Sequence, residues 1–254
     1  MLTDADRAAF DKHGWLVLHQ AVAADRVAEL ESALDAVVPP GAYLQGYEGR
    51  VVEVASISMG AAALQALAHD RRLAHLAAQA LGVTRIQFFQ DTVFIKPART
   101  GGEVAWHQDA SYFAFLRPLS GVALRLALST ETVESGCLRV IDGSHRWGLQ
   151  TPDLSFEASA VEDALATLPA KLRNAARKAE RSLELEPGDL SLHHCLTFHS
   201  SAANRSGLVR KTLAVRYVDA GCTVCAERIP THAAPRLPTD GLGHLTGPLF
   251  PVYR

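Results

Sequence analysis

The sequence predicts a mainly β protein with flanking helices, organised as an antiparallel sandwich or jelly roll, and three observations carry that expectation. From residue 84 onward, short β-rich runs recur between Gly, Pro and Ser signals. Helical spacing of apolar residues gathers before that point and in one later insert. The 254-residue length suits one well-buried core, so 1–254 is read as a single domain.

Each element follows from local signals. Thr3 with Asp6 makes an N-cap pattern for a short helix over 3–13 that ends near His13-Gly14. A strand follows at 15–18. Ala24-Asp25 opens a second helix with Val27, Leu30, Leu34 and Val37 or Val38 at helical spacing, and Pro39-Pro40-Gly41 stops it. The Ala- and Leu-rich stretch 60–80, with His69-Asp70-Arg71-Arg72 in its middle, reads as two helical pieces ending at Gly82. Strands are expected at 85–97, 104–109, 121–130, 137–141, 192–198 and 211–218. A helical insert, about 155–182, interrupts them and is broken by Pro169, and a Pro- and Gly-rich tail, about 222–254, shows little periodicity.

Composition narrows the function. The formal charge of -2 gives no reason to expect nucleic acid or an anionic membrane as partner, and no apolar run approaches the length of a membrane span. Asp4, Asp6, Asp11 and Lys12 stand where a signal peptide would carry its apolar core, so a cytoplasmic location is expected. Four cysteines, at 137, 195, 222 and 225, are too few and too unevenly spaced for a disulfide framework. Cys222-x-x-Cys225 lacks a second pair at zinc-ribbon spacing, so buried thiols are expected there.

Chemistry concentrates in Trp106-His107-Gln108-Asp109-Ala110-Ser111-Tyr112-Phe113. On a strand, residues i and i+2 share a face, so His107 and Asp109 would reach one metal ion together. A third ligand from a distant strand would complete the two-His-one-carboxylate arrangement and leave the opposite face of the metal open. His193, His194 and His199 all lie in the right region, and period alone does not choose between them. Downstream context favours His199, because Ser201 follows at i+2 and Arg210 lies eleven residues on, where a hairpin would bring it beside His199. A planar cation with an adjacent hydroxyl suits the far carboxylate of a dicarboxylic co-substrate.

With these residues in view, the chain resembles the phytanoyl-CoA dioxygenase-like Fe(II)/2-oxoglutarate-dependent oxygenases. The resemblance is carried by Phe94-Ile95-Lys96-Pro97, by Trp106 to Asp109, by the run from Ser135 to His145, by Pro187-Gly188-Asp189, and by His199 to Asn204 with Arg210. It runs from the start to about residue 219 and leaves the insert and tail uncovered. It implies a double-stranded β-helix (jelly roll, cupin-like) core, iron held by His107, Asp109 and His199, and O2 as a further co-substrate. It also implies 2-oxoglutarate held by Arg210, Ser201 and Lys96. Gln90, six residues before Lys96 on the same strand face, is a candidate for co-substrate or substrate contact. Arg125 stands where the family often has tryptophan, and is a candidate for pairing with an acidic substrate. Tyr112 and Phe113 are candidates for the substrate side.

The expected activity is hydroxylation of an unactivated C–H bond of a small metabolite or natural-product intermediate, with release of succinate and CO2. Related halogenases lack the carboxylate that Asp109 supplies, so its presence favours hydroxylation. The rivals are a non-enzymatic jelly-roll binding protein and a metal-dependent cupin that does not use 2-oxoglutarate. The basic run 171–181 reads as a solvated helix face, or as part of a lid. His145 reads as a turn residue after Gly143-Ser144.

Overall fold

The N-terminal helix begins where its own side chains satisfy a helix end. Thr3 Oγ1 accepts from the amide of Asp6 (3.1 Å), and the Asp6 carboxylate accepts from the amide of Thr3 (2.8 Å), a capping box at the head of α1 (Asp4–His13). Gly14, at φ 77°, takes the left-handed conformation that closes the helix and turns the chain into β1 (Trp15–Leu18). Next come α2 (Ala24–Val37), β2 (Val52–Ala55), α3 (Ala62–Ala68) and α4 (Arg71–Leu81), the last capped by Asp70 and closed by left-handed Gly82. This computed structural model describes residues 1–42, 49–150, 164–228 and 237–254.

The strands that follow are β3 (Ile86–Lys96), β4 (Val104–His107), β5 (Leu116–Arg117), β6 (Gly121–Ala127) and β7 (Leu138–Ile141). After α5 (Ala164–Thr167) and α6 (Ala170–Ala179) come β8 (Glu180–Leu183), β9 (Leu190–His194), β10 (His199–Ser201), β11 (Arg210–Asp219), β12 (Thr223–Val224) and β13 (Val252–Tyr253). The major sheet runs β1-β9-β6-β11-β3-β13 with β2 also on β3, and the minor sheet runs β4-β10-β7-β8. All pairings among the described residues are antiparallel, and the two sheets face each other as the jelly roll.

The main apolar core lies outside the space between the sheets. Leu213, Val215 and Tyr217 of β11 turn outward with Leu124 and Leu126 of β6, and α2, α3 and α4 cover them through Leu30, Leu34, Leu64 and Leu73. Tyr217 is fully buried and satisfies its hydroxyl by donating to the Ala68 carbonyl (3.2 Å). Lys211 joins the same interface, its Nζ lying 2.9 Å from Glu31 and 2.8 Å from Asp35 on α2. Behind the minor sheet, α5 and α6 bury Leu168 and Ala176 against Trp106 and Phe198. The described part of the insert thus buttresses the outer face of that sheet, with Lys171, Arg177 and Lys178 exposed. The rest of the expected insert, 155–163, lies outside the described residues.

Four expectations need correction. The strand expected over 104–109 stops at His107, because the amides of Ser111 and Tyr112 turn back to the carbonyls of Gln108 and Asp109 and wind a 3-10 turn. The strand expected over 192–198 ends at His194, where the Thr197 amide folds back onto the His194 carbonyl. His199 then opens β10 in the other sheet, so the connection to Arg210 crosses between sheets and is no hairpin. The tail supplies β12, which pairs with β5, and β13, which pairs with the start of β3; its residues 229–236 lie outside the described set.

Leu34 is fully buried at the α2 interface. Leu34→Ala is expected to lower the free energy of unfolding by about 2–5 kcal/mol in urea titration, and a loss below about 1 kcal/mol would contradict the packing described.

Candidate metal and co-substrate site

The pairing of β4 with β10 sets the site. His199 stands directly opposite His107, and their ring centroids are 4.1 Å apart. Each imidazole is fixed by its own strand: His107 Nδ1 donates to the Ala105 carbonyl (2.8 Å) and His199 Nδ1 to the Thr197 carbonyl (2.9 Å). A carbonyl can only accept, so the proton sits on Nδ1 and the Nε2 lone pair of each ring is left for a metal. Both Nε2 atoms face Asp109 Oδ1, His199 at 3.6 Å and His107 at 4.0 Å. The potential ligand atoms of the three residues all lie within 4.8 Å of one another, and all three residues are buried. Two neutral imidazoles and one carboxylate are the donor set that non-haem Fe(II) accepts, so the residues present fit that ion.

The protonation states suit this role. Burial, with the neighbouring His199, pushes His107 down to about 3, and burial likewise lowers His199. Burial alone would raise Asp109, but the Arg216 guanidinium and the hydrogen bond from His193 hold it well below the usual carboxylate range.

Two of these neighbours were not expected there. Arg216 Nε lies 3.2 Å from Asp109 Oδ2, with a second nitrogen 3.5 Å from Oδ1, so a guanidinium of the major sheet grips the carboxylate carried beyond β4. His193 Nε2 lies 3.3 Å from the same Oδ2. Strand parity was the available signal for both: Arg210, Thr212, Ala214 and Arg216 alternate along one face of β11, and β9 places His193 across from Ala123 on that face. His194 points the other way and accepts the Leu196 amide through Nδ1 (3.1 Å). His145 sits in the turn after Gly143, its Nε2 on the Asp11 carbonyl (3.1 Å).

Farther along the interior face, Lys96 is opposite Arg210, and both are buried. Lys96 Nζ donates to the carbonyls of Ser201 (3.3 Å) and Ala202, and Arg210 donates to the Gly136 carbonyl. The structure therefore gathers Arg210, Lys96 and Ser201 beside the triad. Gln90 is on the same face of β3 as Lys96, opposite Arg216.

The substrate-side candidates separate. Tyr112 is half-buried with its ring edge-on to His107 (5.6 Å between centroids), whereas Phe113 turns into a cluster with Phe89, Phe115 and Phe250. Arg125 is buried in β6, near Thr212 and Glu131. Arg117 bonds the carbonyls of Ala114 and Leu116, and Arg139 pairs with Glu180 (3.2 Å) over the Trp106 ring. Cys222 is buried with Sγ on the Pro118 carbonyl, and half-buried Cys225 bonds Glu227.

Comparison with known proteins places this geometry. The family model described as phytanoyl-CoA dioxygenase (PhyH) matches residues 10–212. The ectoine dioxygenase of Sphingopyxis alaskensis is 28% identical over 219 residues, 78% of this chain and 69% of that protein; several other curated relatives are spanned over about half their length. Among solved structures, the α-ketoglutarate-dependent carbocyclase SnoK from nogalamycin biosynthesis superposes with a TM-score of 0.78 at 20% identity, covering 100% of this chain and 97% of that one. The epimerase SnoN, solved with Fe3+, α-ketoglutarate and nogalamycin RO, gives 0.76 at 24% identity over 99% and 98%. No described helix is long and apolar enough to cross a membrane. With a family model matched across most of its length and a buried His-Asp-His set in place, the chain belongs to the phytanoyl-CoA dioxygenase family of iron- and 2-oxoglutarate-dependent oxygenases.

Proposed function

We propose that this enzyme hydroxylates an unactivated C–H bond of a small metabolite or natural-product intermediate, with His107, Asp109 and His199 as iron ligands. The observation that carries the reading is the convergence of two Nε2 lone pairs and one ionised carboxylate in a buried spot, with Arg210 and Lys96 on the same interior face. Bound iron with 2-oxoglutarate and O2 supplies the oxidising chemistry, releasing succinate and CO2 and delivering hydroxyl to the substrate.

The chain's own residues orient and shield. Ala105 and Thr197 carbonyls hold the imidazoles in the ligating tautomer, and Arg216 with His193 holds Oδ2 of Asp109 so that Oδ1 faces the metal position. Arg210, with Ser201 and Lys96 beside it, holds the distal carboxylate of 2-oxoglutarate. Asp109 fills the position that a halogenase leaves for halide, which favours hydroxyl transfer. Tyr112 and Gln90 stand on the substrate side, and a panel of small metabolites screened for succinate release identifies the substrate class.

Asp109→Ala is expected to abolish succinate formation and the visible charge-transfer band that Fe(II) and 2-oxoglutarate give under anaerobic conditions; full activity in that variant would remove the ligand assignment. Arg210→Ala is expected to raise the apparent KM for 2-oxoglutarate at least about tenfold while leaving that for substrate nearly unchanged, since charge-assisted bonds contribute about 1.5–3 kcal/mol each. Acid is expected to unfold the metal-free protein early. Burial lowers His107 to about 3 and His194 to about 4 from an ordinary value of 6.5, so the unfolded chain takes up protons first as pH falls below 6.5. Stability is therefore full above 6.5 and declines toward pH 4, by up to about 1.4 kcal/mol per pH unit for each such imidazole. Denaturant midpoints that stay level between pH 6.5 and 4.5 would contradict the neutral, buried imidazoles.

A further inference from the structure

The interior face of the major sheet carries more cationic charge than its neighbours neutralise. Arg125, Lys96 and Arg210 are 5%, 0% and 2% exposed. Lys96 and Arg210 donate to backbone carbonyls, which satisfy hydrogen bonds without cancelling charge. Arg125 has one Nη 3.5 Å from Thr212 Oγ1 and 3.9 Å from Glu131 Oε2, while its other Nη has no hydrogen-bond partner. Arg210 Nε is likewise buried and unpartnered, and Glu131 Oε2 accepts no hydrogen bond. A native interior rarely leaves two arginine N–H groups unsatisfied on one face unless something else fills them.

The strand register places both arginines around one space. Arg125 sits opposite Ala214, and Thr212, one step closer to Arg210 on the same face of β11, sits opposite Ala127. The residues beside Thr212 on that face, Ala127 and Ala214, are small. Lys96 subtracts from the charge: burial, then the charges of Arg210 and Arg125, lower it to about 6, so near neutral pH it is largely uncharged. Two guanidinium charges then face the single carboxylate of Glu131, an excess equal to one carboxylate.

We propose that Arg125 is a second arginine for the co-substrate, forming with Arg210 a two-guanidinium clamp on the distal carboxylate of a five-carbon 2-oxo diacid. The proposal rests on the co-substrate reading above. It moves Arg125 from the primary-substrate side to the co-substrate side, at a position where the family resemblance implies tryptophan, so the clamp is a property of this chain.

The test measures binding by calorimetry, titrating 2-oxoglutarate into protein loaded with Mn(II) in place of iron. Arg125→Gln alone leaves Glu131 buried without its ion pair, so it is compared with Arg125→Gln/Glu131→Gln and with Glu131→Gln. The clamp predicts that the double variant binds 2-oxoglutarate at least about tenfold more weakly than Glu131→Gln, with Mn(II) affinity unchanged. It also predicts that Glu131→Gln alone binds 2-oxoglutarate more tightly than wild type, because the internal carboxylate no longer competes for Arg125. Equal 2-oxoglutarate affinity in the double variant and Glu131→Gln, or a parallel loss of Mn(II) affinity, would overturn the clamp. Failure of wild-type, Mn(II)-loaded protein to bind 2-oxoglutarate would instead overturn the co-substrate reading beneath it, a result distinct from a loss confined to the variants.

Discussion

Everything inside this jelly roll is arranged around one buried carboxylate. Asp109 is 3% exposed, and an ionised carboxylate held that far from water is tolerable only when paired and hydrogen-bonded. The major sheet supplies that pairing through His193 and Arg216, while the minor sheet sets the neutral rings of His107 and His199 around the same carboxylate. The space between the sheets is consequently polar, lined by Lys96, Arg125, Ser191, His193, Arg210 and Arg216 on the major-sheet side. A polar interior cannot supply the apolar burial that holds a domain together. The helices do so from outside, α2 to α4 on the major sheet and α5 with α6 on the minor, which explains why the N-terminal third of the chain is mostly helical around the short β1 and β2.

Much of this was legible in the sequence because the signals are local. Thr3 with Asp6, Gly14, Asp70 and Gly82 bound their helices through caps that depend on neighbours within a turn, and those helix ends agree with expectation. The donor set was legible from residue type and order, as was the shared face of Gln90 and Lys96.

What escaped depends on contacts distant in sequence. The i and i+2 argument for His107 and Asp109 presumed a strand that in fact ends between them, and turn hydrogen bonds, which carry no composition signature here, decide its end. Arg216 and His193 were hidden because their role appears only once two sheets close on each other. Arg125, Arg117 and Arg139 are alike by residue type. Burial and partners distinguish them: Arg117 is committed to backbone carbonyls, Arg139 to Glu180 and Trp106, and Arg125 retains an unfilled donor. Strands of two residues, such as β12 and β13, are too short for alternation to register at all.

The register that sets His199 opposite His107 brings together two rings roughly ninety residues apart in the chain. With the ligand set proposed, a bound ion therefore acts as a cross-link, closing a long loop that the unfolded chain leaves open. Because the complete set exists only in the folded state, the ion's binding free energy adds to the stability of the fold by mass action. Iron scarcity then reduces the population of folded chain as well as its turnover, and draws the apo form toward the proteases that act on opened structures.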